Sequence, residues 1–141
     1  MGCLFRQRVS EWATPLHCAR EAAFGLRDLV ERRGFHAHLP IEIRFTAGDD
    51  IWLSPAYQRD LVAFHFTFRQ DVPGVLRILY GMEQQLAPLS PLPHWGKLFA
   101  MSPAKIAAGY PRLADFRALA AKHDPAGKFR NRFVDKYVFG G

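Results

Sequence analysis

Residues 41–46, Ile-Glu-Ile-Arg-Phe-Thr, alternate strictly between apolar and polar side chains. That period predicts a strand with one face for a core and one for polar company. Residues 61–68, LVAFHFTF, are rich in aromatic and β-branched residues and predict a second strand. There Phe64, Phe66 and Phe68 share one face, and His65 and Thr67 share the other. Residues 4–13, LFRQRVSEWA, alternate in part and predict a strand that Pro15 ends. The period lengthens over residues 18–33, where Ala22, Ala23, Leu26, Leu29 and Val30 recur at helical spacing and Gly34 supplies the stop. A second helix is predicted to about residue 86, with Asp71 as its cap and Pro73 in its first turn. Gly48-Asp49-Asp50 makes a turn, and residues 51–57 are irregular or a short strand. The stretch APLSPLPHWGKLF holds three prolines and reads as a loop. SPAKIAAGY and PRLADFRALAAKHD read as two short helices, DPAGKF as a turn, and the last residues as an extended tail.

This order predicts an α+β fold: an antiparallel sheet with helices packed on one face, followed by a helical and extended C-terminal tail. Residues 41–46 and 61–68 belong to one sheet in this scheme. Ile43, Phe45, Phe64, Phe66 and Phe68 should be buried under the helices at 18–33 and 72–87. Glu42, Arg44, His65 and Thr67 then gather on the opposite face. Open to water, such a cluster is ordinary; covered by another domain, it is a site.

Composition narrows the class. The 141 residues suit one domain, and 49% hydrophobic content with twelve Phe and three Trp builds a single core rather than a disordered chain. A net charge of +6 favours anionic or polyhydroxylated partners, although no run of consecutive Lys or Arg marks a binding stripe. Cys3 and Cys18 make neither a disulfide framework nor a metal cluster, which fits a reducing compartment. His17, His36, His38 and His123 lack metal-ligand spacing, so no metal is expected. No apolar run approaches the about 20 residues of a membrane span. The start, MGCLFRQ, has Arg6 where an acylation signal needs Ser or Thr, and its apolar stretch is too short for a signal peptide. A cytoplasmic location is expected, with peripheral membrane attachment as the variant.

Three blocks in order carry a resemblance: PIEIRFTAGDDIWLSP, PHWGKLF and YPRLADFRALAAKHDPAGKFRNRF. From about residue 10 to the end, the chain resembles the C-terminal region of the sugar-1,4-lactone oxidases. These are the gulonolactone and arabinonolactone oxidases, with alditol oxidases as close relatives, in the vanillyl-alcohol-oxidase flavoprotein group. The resemblance implies a two-domain enzyme in which an N-terminal domain binds FAD, often covalently, and a cap closes over the flavin ring. Residues 1–93 would be part of the substrate-binding cap. Residues 94–141 would be the His-Trp-Gly-Lys loop, short helices and a return segment toward the FAD-binding domain or subunit. The eleven glycines are scattered and form no G-x-G-x-x-G, so FAD is expected to be bound mainly by that other domain, and the isolated chain to be inactive.

The resemblance also implies roles. Glu42 and Arg44 match the family's Glu-x-Arg pair that lines the substrate site. His65 and Thr67 match a His-x-Thr pair facing the flavin. Lys97 matches the lysine of His-Trp-Gly-Lys, and His94 and Asn131 are implied cofactor contacts. The chain departs at Phe99, where relatives commonly carry His. Oxidising a carbinol sends a hydride to flavin N5 and releases a hydroxyl proton. His65 would accept that proton, and Lys97 would stabilise a developing alkoxide or the reduced flavin. Arg44 would fix a ring oxygen or carbonyl of a sugar lactone or polyol, with Glu42 and Thr67 beside it.

Spacing alone says less. A Glu and an Arg two apart on a strand read as a solvated pair, and a lone His among aromatics as structural. Asp49 and Asp50 read as turn formers, and Trp52 and Phe68 as core. Two other functions compete: a small basic α+β module binding nucleic acid or another anion, and a non-catalytic remnant that folds within a complex. Nucleic acid is not expected, because the aromatics alternate inward and the basic residues do not line one strand face.

Overall fold

The alternating stretches become neighbouring strands. In the computed structural model, which describes residues 7–33, 41–68 and 72–140, the strands are β1 (Arg8–Pro15), β2 (Glu42–Thr46), β3 (Leu61–Phe68) and β4 (Leu92–Pro93). They form one antiparallel sheet of order β2-β3-β1-β4. Trp12 lies opposite Phe64, and Ser10 opposite Phe66. Glu11 lies opposite His65, which also faces Glu42 across β2. Residues opposite one another in an antiparallel pair share a face. Trp12, Phe64, Phe66 and Phe68 therefore point one way, and Glu11, Glu42, Arg44, His65 and Thr67 the other.

The first face carries the helices. In α1 (Ala19–Arg33), Ala22, Leu26 and Leu29 are buried; in α2 (Val72–Leu86), Val75, Leu79, Met82 and Leu86 are buried. Both sets follow the helical repeat, so each helix turns one stripe inward. Trp12, Phe64, Phe66 and Phe68 lie beneath them, fully or almost fully buried. The same core continues through Leu92, Ile106, Tyr110, Leu113 and Val138, so the C-terminal third packs on it as well. There α3 (Pro103–Gly109) starts at an N-cap, with Ser102 Oγ accepting from Lys105 N–H, and is followed by α4 (Leu113–His123).

The structure corrects three expectations. Ile43 and Phe45 are not buried; they are 50% and 69% exposed. β2 is the edge of the sheet, and α1 lies against β1 and β3, so the apolar side of β2 extends past the helices. The proline-rich stretch is not all loop, because Leu92 and Pro93 pair with Ala13 and Trp12 on the outer side of β1. An edge strand tolerates proline, since its missing N–H would face away from the ladder. The tail is not extended. Asn131 Oδ1 accepts from Val134 N–H and caps a helical turn, α5 (Arg132–Val134), which runs into a wider turn over Asp135–Phe139. Phe133 and Tyr137 lie four apart and stack on one side of it, against Phe99.

The acylation stretch at residues 1–6, Gly34, His36, His38 and Asp71 lie outside the described residues. Phe68 is core as read, whereas Trp52 is half-buried beneath the Arg112 guanidinium, 4.7 Å from its ring centre.

Candidate functional site

Two rows cross the open face of the sheet. Glu42, His65 and Glu11 form one, and Arg44, Ala63 and Ala13 form the next. Lys97 reaches this face from the loop after β4. His94 N–H donates to Glu11 O at 3.0 Å and Leu98 N–H donates to Val9 O at 2.9 Å, so both ends of the loop are fastened to β1. Between them Lys97 N–H donates to His94 O at 3.1 Å and Gly96 N–H to His94 Nδ1 at 3.0 Å. Trp95 leans the other way, donating from Nε1 to Leu53 O at 3.0 Å and stacking on Tyr110. The turn thus hangs the Lys97 ammonium over the polar row.

The centre of the cluster is a residue the sequence reading did not select. Glu11 Oε2 accepts from Lys97 Nζ at 2.6 Å and from Arg44 Nη1 at 3.0 Å, and lies 3.1 Å from His65 Nδ1. Lys97 Nζ is also 2.8 Å from His65 Nδ1. Arg44 uses its second nitrogen, Nη2, on Glu42 Oε2. Thr67 Oγ1 sits 3.5 Å from His65 Nε2. The side chains of Glu11, His65 and Lys97 are only 12–15% exposed, while Arg44 and Glu42 are about half exposed. Contacts between opposite charges in such a partly dry setting are short and strong. Burial alone pushes the Glu11 carboxyl up. Contact with Lys97 and His65 and the positive charge of Lys97 outweigh it, so Glu11 is held below the ordinary carboxylate value.

Beside the cluster is a cavity of 170 Å³. Ala13, Ala63 and Leu61 form its floor, Glu11, Arg44 and Thr46 one wall, and His94 and the Ser54–Ala56 segment the rim. Ordinary ligand pockets run to about 300–1,000 Å³, so this one suits a molecule of a few carbons or one end of a larger one. The rim is tied down locally. Asp49 accepts from Ile51 N–H at 3.0 Å and from Ser54 Oγ at 2.6 Å, the turn-building role read for it. Gly48 passes so close to the segment leading into β3 that a Cβ there would lie 3.0 Å from Arg59 N.

A second groove, of 500 Å³, lies on the far side of Lys97 between the start of β1, Trp95–Phe99 and the terminal turn with Phe133 and Tyr137. Phe99 lines it and meets Tyr137 edge to face, 5.0 Å between ring centres. Glu42, Arg44, His65, Thr67 and Lys97 are therefore brought together. His94 rims the cavity with its Nδ1 occupied by Gly96 N–H. Asn131 is spent on capping α5 and makes no described contact with the cluster. Among the described residues no group of three or more His, Cys, Asp or Glu could hold a metal, and no helix is long and apolar enough to cross a membrane.

The family model of D-arabinono-1,4-lactone oxidase matches residues 1–137. The chain belongs to that family. Within it, the chain is 50% identical over 99 residues to the alditol oxidase of a Streptomyces species, a stretch covering 70% of this chain and 24% of that protein. It is 34% identical over 142 residues to the L-gulonolactone oxidase of Bos taurus, covering 97% of this chain and 32% of that protein. It is 34% identical over 130 residues to the L-gulono-1,4-lactone dehydrogenase of Mycobacterium tuberculosis, covering 91% and 30%. The chain thus spans a quarter to a third of the length of these relatives.

The family is associated with flavin, and the site fits one side of a flavin ring. Lys97 offers a cation to an electron-rich ring edge, and the groove beside it is walled by aromatic faces. The sequence has no G-x-G-x-x-G turn to cradle a pyrophosphate.

Proposed function

We propose that this chain forms the substrate-binding side of an FAD-dependent oxidoreductase that oxidises a CH–OH group of a sugar-1,4-lactone or a polyol. The observation that supports it best is the Glu11, Arg44, His65 and Lys97 cluster, half-dry and set beside a cavity that admits one end of a sugar or polyol. Bound FAD supplies the hydride acceptor. Arg44, steadied by Glu42 and Glu11, presents its guanidinium fork to a ring oxygen, carbonyl or hydroxyl. Lys97 stabilises negative charge developing on the reacting oxygen. His65 accepts the hydroxyl proton, with Thr67 beside its Nε2. The alanine floor and the Ser54–Ala56 rim keep water from the reacting end.

In this reading residues 1–93 are part of the cap, and residues 94–141 return toward the FAD-binding domain or subunit, where His94 and Asn131 contact the cofactor. The cytoplasm is the compartment that the cysteine usage favours. The test uses the full-length polypeptide that carries this chain, loaded with FAD and mixed anaerobically with a sugar-1,4-lactone or a linear polyol. Flavin absorbance should bleach within the mixing experiment, and His65→Ala should slow bleaching by roughly a hundredfold or more, the scale of a positioned proton acceptor. Absence of bleaching with both substrate classes overturns the proposal.

A further inference from the structure

We propose that Glu11 is a positioning residue which, through Lys97, decides which nitrogen of His65 carries the proton. The three atoms Glu11 Oε2, Lys97 Nζ and His65 Nδ1 form a small triangle with sides of 2.6, 2.8 and 3.1 Å. The two shorter sides both end on Lys97 Nζ. An ammonium has three donors and no acceptor, so its contact with Nδ1 is a hydrogen bond only where Nδ1 offers a lone pair. The imidazole proton then resides on Nε2, the nitrogen facing Thr67 Oγ1. The charges agree. Glu11 and Glu42 balance Arg44 and Lys97 when His65 is neutral. A proton added to His65 would set three cations around one carboxylate oxygen.

The arrangement depends on Glu11. Among the described residues its Oε2 is the one acceptor shared by Arg44 and Lys97, and Glu42, half exposed, pairs there with Arg44 alone. Without the Glu11 charge, Lys97 loses its shortest contact and has no carboxylate to hold it against Nδ1.

A second consequence concerns the moment Lys97 turns to a ligand oxygen. Nδ1 is then released, and its remaining neighbour is Glu11 Oε2 at 3.1 Å, which can only accept. The favoured tautomer becomes Nδ1–H donating to Glu11. It is reached by moving the Nε2 proton to Nδ1 through water, with no net gain of protons. Nε2 is left with its lone pair and can accept a proton. Engagement of Lys97 and the readiness of His65 as a proton acceptor are thus coupled through one carboxylate. This consequence rests on the proposed oxidase reading; the resting tautomer and its dependence on Glu11 do not.

The test is long-range proton–nitrogen correlation spectroscopy of the His65 ring in ¹⁵N-histidine-labelled chain at neutral pH, with His65→Gln to assign the signals. The parent should show Nε2–H. Lys97→Met should invert this to Nδ1–H, because Glu11 then has Nδ1 to itself. Glu11→Gln added to Lys97→Met should abolish the inversion and return the tautomer ratio of free histidine. Nδ1–H in the parent, or Nε2–H persisting in Lys97→Met, overturns the proposal. If the double variant loses its dispersed amide signals, Lys97→Met alone decides. A sugar lactone added to the FAD-loaded full-length enzyme separates the two readings. Inversion in Lys97→Met with His65 signals unmoved by lactone or polyol sinks the oxidase reading and leaves the positioning role standing.

Discussion

At the scale of the residue, Glu11 gathers the chemistry, and its titration gives it a signature. Its folded carboxyl lies below the ordinary carboxylate value, held there by Lys97 and His65 against the effect of burial. A depressed carboxyl contributes stability that is complete above the unfolded value and lost as pH falls through the folded one. The chain should therefore lose stability below about pH 4.5, and Glu11→Gln should remove part of that loss while lowering stability at neutral pH. Glu83 has the opposite sign. Burial is the main cause that pushes it up, against backbone N–H donors from Ala100 and Met101 and the charge of Lys105. Its contribution is present below the unfolded value and lost as pH rises through the folded one, so Glu83→Gln should stabilise the chain at neutral pH. Urea unfolding of the three proteins from pH 3 to pH 8 checks both signs; parallel curves would refute both. Arg44 belongs to the same scale. Hydrogen bonds to charged groups are worth about 1.5–3 kcal/mol, so in the full-length enzyme Arg44→Ala should raise KM by roughly ten- to a hundredfold. Steady-state kinetics with lactone and polyol would show it, and an unchanged KM would remove Arg44 from the substrate's contacts.

At the scale of the element, the same alternation had two outcomes. β3 lies inside the sheet, so Phe66 is buried in one core with residues of α1 and α2 on one side and His65 meets Glu11 on the other. β2 lies at the edge, and its apolar side chains remain exposed although its pattern is the more regular of the two. Phe66→Ala should cost about 3–5 kcal/mol, the range for a fully buried aromatic. Phe45→Ala should change stability by no more than about 0.5 kcal/mol, as at other surface positions. Denaturant midpoints at equal slope measure the difference. Equal losses would mean that β2 is covered in solution. α1, α2, β2 and β3 were legible because each is long enough for its period to show. β4 was not, since two residues between prolines have no period and owe their pairing to the free edge of β1. The terminal turn was legible in principle: Phe133, Val134, Tyr137 and Val138 carry helical spacing, but it is short and tied to Asn131 as its cap.

At the scale of the whole molecule, this chain matches a quarter to a third of its relatives' length, and the side proposed to meet the cofactor is one aromatic groove with one lysine. Mixed with FAD and desalted, the 141-residue chain should be colourless, because contacts to one side of the ring lack the binding supplied by the ADP half. A stoichiometric yellow protein would contradict that. The sequence by itself determined the α+β class, helices α1 to α4, the strands β2 and β3 and their membership of one sheet. It also determined that Glu42, Arg44, His65 and Thr67 share a face, since strand periodicity is a local property of the backbone. Its three ordered blocks pointed to the lactone oxidase family that the family model then matched. Only the tertiary structure decided that β2 is an edge, that Lys97 is carried to the open face by a loop fastened to β1, and that Glu11 is the shared partner of three side chains from three different segments. Those outcomes depend on which strands lie side by side, and residues 11, 44, 65 and 97 have no local pattern that records their meeting.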